Sequence, residues 1–142
     1  MPGIADPGAE MASLAHENGI NIVPLVGPSS ILLAISASGF NGQSFTFQGY
    51  LPIKEGPLNA KLKSIEQLVL KHNQTQIFIE TPYRNDRLFD VLLKTLNPQL
   101  KLCIARDITG ENELIKTKTV GEWRKYQSTK IEKHPTIFLI GK

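Results

Sequence analysis

Cysteine is nearly absent from this chain. Cys103 is the single thiol in 142 residues, so no internal disulfide can form. A lone thiol inside an apolar, strand-like run suits a reducing, cytoplasmic compartment. Long apolar runs are missing too: the strongest, residues 31–35, falls far short of the roughly 20 residues that cross a bilayer, so no membrane partner is expected. Residues 1–6 offer neither a basic region nor an apolar stretch, which argues against a secretory signal. Cations are missing from the first third, since none of the sixteen Lys and Arg precedes Lys54. Residues 1–50 therefore sum to −3 through Asp6, Glu10 and Glu17, whereas residues 51–142 sum to +6. What is present, 41% hydrophobic and 20% charged residues, describes a globular chain of single-domain size able to bury a core. The basic second part is compatible with an anionic partner such as RNA, and equally with an ordinary solvated surface.

Hydrophobic periodicity and turn residues divide the chain into alternating elements. Asp6-Pro7-Gly8 opens a helix over residues 9–18 that Asn18-Gly19 stops. Residues 20–25 form a β-branched run that reads as a buried strand. After Val26-Gly27-Pro28-Ser29-Ser30 comes a small-residue helix over 31–38, ended by Gly39. Strands are expected at 44–51, 75–79, 100–108, 114–120 and 136–140, and helices at 58–70, 84–96 and 122–127. This order implies an α/β fold with a mixed, mostly parallel sheet, in which the consecutive strands 100–108 and 114–120 pair antiparallel. The strand at 20–25 lacks neighbours of its own, so either it joins the later sheet or strands upstream of it are missing; the second is expected.

Three strand-to-helix or strand-to-loop junctions concentrate the chemically capable residues. Val26 to Ser30 places free amides and hydroxyls where open α/β sheets bind ligands, and is either such a site or a well-capped helix start. It has neither the Lys of a Walker A loop nor a GxGxxG pattern. Glu80-Thr81-Pro82-Tyr83-Arg84 combines an acid, a phenol and a guanidinium, fit either to orient a substrate or to cap and pair locally. Arg106 to Glu113 adds an arginine and the acids Asp107, Glu111 and Glu113. The three histidines are scattered and no metal site is expected. Lys116, Lys118, Arg124, Lys125, Lys130 and Lys133, interleaved with Trp123 and Tyr126, sketch either an RNA-stacking patch or a surface around a core tryptophan.

These junctions, in this order, resemble the tetrapyrrole (corrin and porphyrin) methylase family of S-adenosylmethionine-dependent methyltransferases. The resemblance is nearest to the branch that methylates a cytidine ribose 2′-hydroxyl in small-subunit ribosomal RNA, and to its short members. It rests on residues 1–9, on Val23-Pro24-Leu25-Val26-Gly27-Pro28-Ser29-Ser30 running to Gly39, on 45–52, on 77–84 and on 105–113. It implies two α/β domains with S-adenosylmethionine between them, usually in a homodimer. Residues 1–42 would then be the tail of an N-terminal domain whose first strands are missing, and 43–142 the C-terminal domain. By the same resemblance, Gly27, Pro28, Ser29 and Ser30 would line the methionine or ribose side of the cofactor. Ile79, Glu80, Ala105, Pro135 and Thr136 would surround its adenine. Glu80, Arg84, Arg106 and Glu113 are the catalytic candidates, with the two arginines facing substrate or its phosphates. The family's usual histidine before the arginine is Tyr83 here, and its Glu-Leu-Thr-Lys stretch reads Asp107-Ile108-Thr109-Gly110.

Methyl transfer to a hydroxyl depends on in-line placement and desolvation more than on a strong base. The expected function is ribose 2′-O-methylation of small-subunit ribosomal RNA by the complete protein. The alternatives are a precorrin or porphyrin methylase, and a truncated, non-catalytic module that binds RNA or a partner.

Overall fold

The computed structural model describes residues 1–126 and 130–142. Its elements are α1 (Gly8–Glu17), α2 (Ser30–Ser38), β1 (Phe45–Tyr50), α3 (Glu55–His72), β2 (Thr75–Ile79), α4 (Asn85–Thr95), β3 (Lys101–Arg106), β4 (Leu114–Thr119), α5 (Val120–Lys125) and β5 (Thr136–Gly141). A single 3-10 turn, Pro82–Arg84, leads into α4. The expected helix at 122–127 is α5, starting two residues earlier; Gln127 lies outside the described residues.

One five-stranded sheet runs in the order β1-β2-β5-β3-β4. The helical crossovers α3 and α4 make β1, β2 and β3 point the same way, as the alternation of strands and helices requires. Only β1 and β2 are adjacent and parallel, however, because β5 inserts between β2 and β3 and pairs antiparallel with both. The sheet is therefore mixed with one parallel contact, less parallel than its element order suggests. The β3–β4 pairing is antiparallel, as expected of strands joined by a short loop. Because β5 enters where β2 and β3 end, Ile79 and Ala105 both sit opposite Ile137, and Arg106 sits opposite Thr136.

Strand alternation sends side chains to two cores. On one face Phe78, Leu102, Ile104, Phe138 and Ile140 pack against the apolar stripes of α3 (Leu58, Leu62, Ile65, Val69) and α4 (Leu88, Phe89, Leu92), with Trp123 of α5 completing the layer. On the other face Ile77, Cys103, Ala105, Ile137 and Leu139 receive Ile31, Ala34 and Ile35 of α2. That helix is apolar nearly all round, yet only the face carrying Ile31, Ala34, Ile35 and Ser38 is buried, while Leu32 and Leu33 stay exposed; Gly39 stops it in the left-handed conformation at φ 77°.

The first 29 residues stand apart from both cores. Helix α1 buries none of its residues. Residues 20–29 run outside any strand, with Ile20, Ile22, Val23, Leu25 and Val26 exposed. The strand expected at 20–25 is thus not formed. Its β-branched residues would suit a buried strand, but no neighbouring backbone pairs with it among the described residues, and a strand is defined by its partners as much as by its sequence.

Candidate functional site

Two adjoining clefts open at the sheet edge where β2 and β3 end and β5 begins. The first, about 400 Å³, is bordered by Pro28, Ser29 and Ser30 from the loop before α2 and by Phe47, Ile79 and Ile137 from the sheet, with Met1, Ile4 and Ala5 across it. The second, about 390 Å³, is bordered by Ser30, Ala105, Asp107, Ile108, Pro135 and Thr136. Ser30 and Ile137 border both, so the clefts are one continuous depression.

Seven of the nine residues expected around a cofactor border this depression: Pro28, Ser29, Ser30, Ile79, Ala105, Pro135 and Thr136. Gly27 borders neither cleft, and a Cβ there would meet no other residue within 4 Å apart from its chain neighbours. Glu80 follows Ile79 in β2's extended continuation and turns to the opposite side of the sheet, where it borders a groove beside α4 with Leu58, Arg84, Arg87 and Leu88. Sequence reading missed Ile31, Phe47 and Ile137, whose apolar side chains are signalled by nothing but strand and helix periodicity.

The catalytic candidates are mostly committed to local structure. Glu80 accepts from the Thr81 amide at 2.6 Å and from an Arg84 guanidinium nitrogen at 2.8 Å. Burial pushes its carboxyl up, but Arg84 and the Thr81 N–H outweigh burial and hold it below the usual carboxylate range. Beside this pair, Thr81 Oγ1 and Arg84 Nε are buried without a hydrogen-bond partner. Arg106 donates to the carbonyls of Asn112 and Lys130, each at 3.3 Å, and Glu113 accepts from the Thr109 amide at 2.7 Å, so both close the β3–β4 loop.

The sketched basic patch resolves into unlike parts. Trp123 is a core residue whose Nε1–H donates to the Leu102 carbonyl at 2.8 Å, and it meets Phe89 edge to face. Arg124 donates to the carbonyls of Leu93 and Leu96 at the end of α4. Lys118 lies over the Tyr126 ring at 3.8 Å with Lys116 alongside at 5.9 Å, which leaves a smaller cationic and aromatic cluster on the edge strand β4. Among the described residues no group of His, Cys, Asp and Glu could hold a metal, and no helix is long and apolar enough to cross a membrane.

No family model matches the chain. Among curated proteins it is similar to "Ribosomal RNA small subunit methyltransferase I" of Vibrio cholerae, 33% identical over 121 residues that make up 85% of this chain and 41% of that protein. Proteins of the same name from Buchnera aphidicola (31% identical; 98% of this chain, 48% of that protein) and Coprothermobacter proteolyticus (33%; 87% and 58%) are similar as well. The chain thus spans about two fifths to three fifths of these relatives' length. Among solved structures, the methyltransferase CobJ superposes with a TM-score of 0.61 at 19% identity, covering 99% of this chain and 61% of that one. The uroporphyrin-III C-methyltransferase of Thermus thermophilus complexed with S-adenosylhomocysteine gives 0.53 at 16%, covering 99% and 62%.

Proposed function

The chain is homologous to the ribosomal RNA small subunit methyltransferases I and has the fold of the tetrapyrrole methylases; from that premise we propose that it is part of an S-adenosylmethionine-dependent methyltransferase acting on small-subunit ribosomal RNA. The observation that carries the reading is the depression where Pro28, Ser29 and Ser30 meet Ile79, Ala105 and Thr136.

The lining has the chemistry an adenosyl group needs. Phe47, Ile79 and Ile137 offer apolar surface for a flat purine, and the hydroxyls of Ser29, Ser30 and Thr136 stand beside it. Among the described residues no Lys or Arg side chain borders either cleft, as suits a ligand without phosphate. When bound, S-adenosylmethionine supplies a methyl group on a positively charged sulfur. Ser29 and Ser30 in this reading orient that group from the start of α2, while Ile31 and Ile137 keep water away from it. The +6 balance of residues 51–142 and the Lys116, Lys118 and Tyr126 cluster support an RNA partner. Residues 1–42 are proposed as the tail of an N-terminal methylase domain and 43–142 as the C-terminal one, which accords with the exposure of α1 and of Ile20, Ile22, Val23, Leu25 and Val26.

The test is transfer of labelled methyl groups from S-adenosylmethionine to small ribosomal subunits lacking this modification, using this chain and a version extended to the relatives' length. Label on a ribose of the small-subunit RNA supports the proposal. Label on uroporphyrinogen and none on RNA rejects it in favour of a tetrapyrrole methylase.

A further inference from the structure

Among the described residues, Asp107 contributes the one acidic side chain that borders either cleft. It follows the last residue of β3 and sits in the left-handed region at φ 48°, two residues before Thr109 at φ 66°, a conformation that a β-branched residue adopts only under constraint. Several contacts impose it. The Asp107 amide donates to the Pro135 carbonyl at 2.8 Å, and the Asp107 carbonyl accepts from the Gly110 amide at 2.7 Å. Carboxylate oxygen Oδ2 accepts from the Asn112 amide at 2.9 Å. Gly110 provides the room: a Cβ there would fall 2.5 Å from Cγ and from both carboxylate oxygens.

Closing the loop uses only one of the two oxygens. Oδ2 holds Asn112, whereas Oδ1 accepts no hydrogen bond from any described residue. An asparagine would close the loop equally well through its single carbonyl oxygen. A carboxylate differs in presenting a second oxygen that can only accept. Its charge disfavours an anionic ligand and favours a neutral one that carries donors.

We propose that Asp107 Oδ1 recognises the adenosine moiety of the ligand, accepting a hydrogen bond from its 6-amino group or from a ribose hydroxyl. The inference rests on the reading that this depression holds the cofactor. It adds to that reading a residue that discriminates between nucleosides.

The experiment is an NMR titration of the whole chain and of D107N and G110A with adenosine, inosine, 2′,3′-dideoxyadenosine and S-adenosylhomocysteine, with the Ser30 and Thr136 amides reporting occupancy. D107N keeps an acceptor for the Asn112 amide and replaces the free acceptor by a donor. G110A keeps the acid but displaces it. Both variants are first matched to the parent in thermal stability and in the dispersion of their spectra. The expected result is a loss of adenosine and S-adenosylhomocysteine affinity on the order of tenfold or more in both variants. The ratio of parent to D107N affinity falls to about one with inosine if the amine is the donor, or with dideoxyadenosine if the ribose is. Equal affinity of parent and D107N for adenosine overturns the inference while leaving the cofactor reading intact. An undiminished ratio with both analogues overturns it as well, since Asp107 then acts through the loop alone. If S-adenosylhomocysteine leaves Ser30 and Thr136 unmoved in the parent, the cofactor reading falls and the inference falls with it.

Discussion

The ring of Phe40 lies against the backbone of Gly141, so close that a Cβ on Gly141 would come within 2.7 Å of Cδ1 and Cγ of the ring. This contact fixes the exit of α2 to the end of β5. It works together with Thr117, whose hydroxyl donates to the Ser38 carbonyl at 2.8 Å, to hold α2 on the sheet. Any side chain on Gly141 must push the ring away, and overpacking of this kind costs roughly 1–3 kcal/mol. G141A is therefore expected to lower Tm by several degrees in a thermal melt. F40L relieves the clash, so adding it to G141A should recover part of the loss; strictly additive losses would show that the two positions are uncoupled.

Glu80 and Arg84 predict a specific response to acid. The folded state holds the Glu80 carboxyl below its ordinary 4.5, so folding favours the ionised form. The stabilisation is complete above the ordinary value and is lost as pH falls through the lower, folded-state value. E80Q should cost about 1–2 kcal/mol near neutral pH, modest because Arg84 is partly exposed. The gap between the parent and E80Q should begin to narrow as pH falls past the ordinary 4.5 and be gone once pH lies below the lower, folded-state value. Denaturant melts of both proteins across that range measure it, and a constant gap would show that the carboxylate's charge is not what stabilises.

Arg124 separates a structural role from the proposed RNA contact. Its bonds to Leu93 and Leu96 satisfy carbonyls that the end of α4 leaves free, at 2.6 and 3.0 Å. R124A should cost about 1 kcal/mol or more of stability. It should change affinity for a small-subunit RNA fragment, read by filter binding, less than K116A/K118A does. The reverse order would place RNA over α5 instead of along β4.

The parts of the fold visible in the sequence are those that local periodicity controls. The apolar stripes of α3 and α4, the stop at Gly39 and the pairing of β3 with β4 all follow from spacing and short connections. The position of β5 does not, because its insertion between β2 and β3 rests on long-range pairings with two strands far away in sequence, which local spacing does not encode. The sequence alone leaves Trp123 open between stacking and core roles, and the Leu102 carbonyl within reach of its indole decides for the core. Glu80 and Ile79 are neighbours in sequence yet face opposite sides of the sheet, a separation that a motif read as a string of letters conceals.

Residues 21–26 show the converse, a clear local preference without partners to realise it. Apart from Pro24, which has no N–H, their amides donate no backbone hydrogen bond to a described residue, in contrast to the Ile20 amide, which bonds to the Ala15 carbonyl at 2.9 Å. Hydrogen exchange should find the amides of Asn21, Ile22, Val23, Leu25 and Val26 close to the unprotected rate, while Ile77, Cys103 and Leu139 in the sheet approach the protection set by global unfolding. In a version extended to the relatives' length, protection at 21–26 would mean that the added chain supplies neighbouring strands. Continued rapid exchange there would count against the proposed N-terminal domain.

Ser30 gives the most direct test of the depression itself. It is exposed, it is the first residue of α2, and its side chain borders both clefts. A tyrosine there occupies the space without entering either core, so stability should change by no more than about 0.5 kcal/mol. Calorimetric titration of S-adenosylhomocysteine should show binding to the parent and at least about a tenfold loss in S30Y, a difference of ~1.4 kcal/mol. K94Y, placed in the separate groove between α3 and α4, should bind as the parent does. Should K94Y lose binding and S30Y keep it, the ligand would belong between the helices, and the convergence of Pro28, Ser29, Ala105 and Thr136 would be a feature of packing alone.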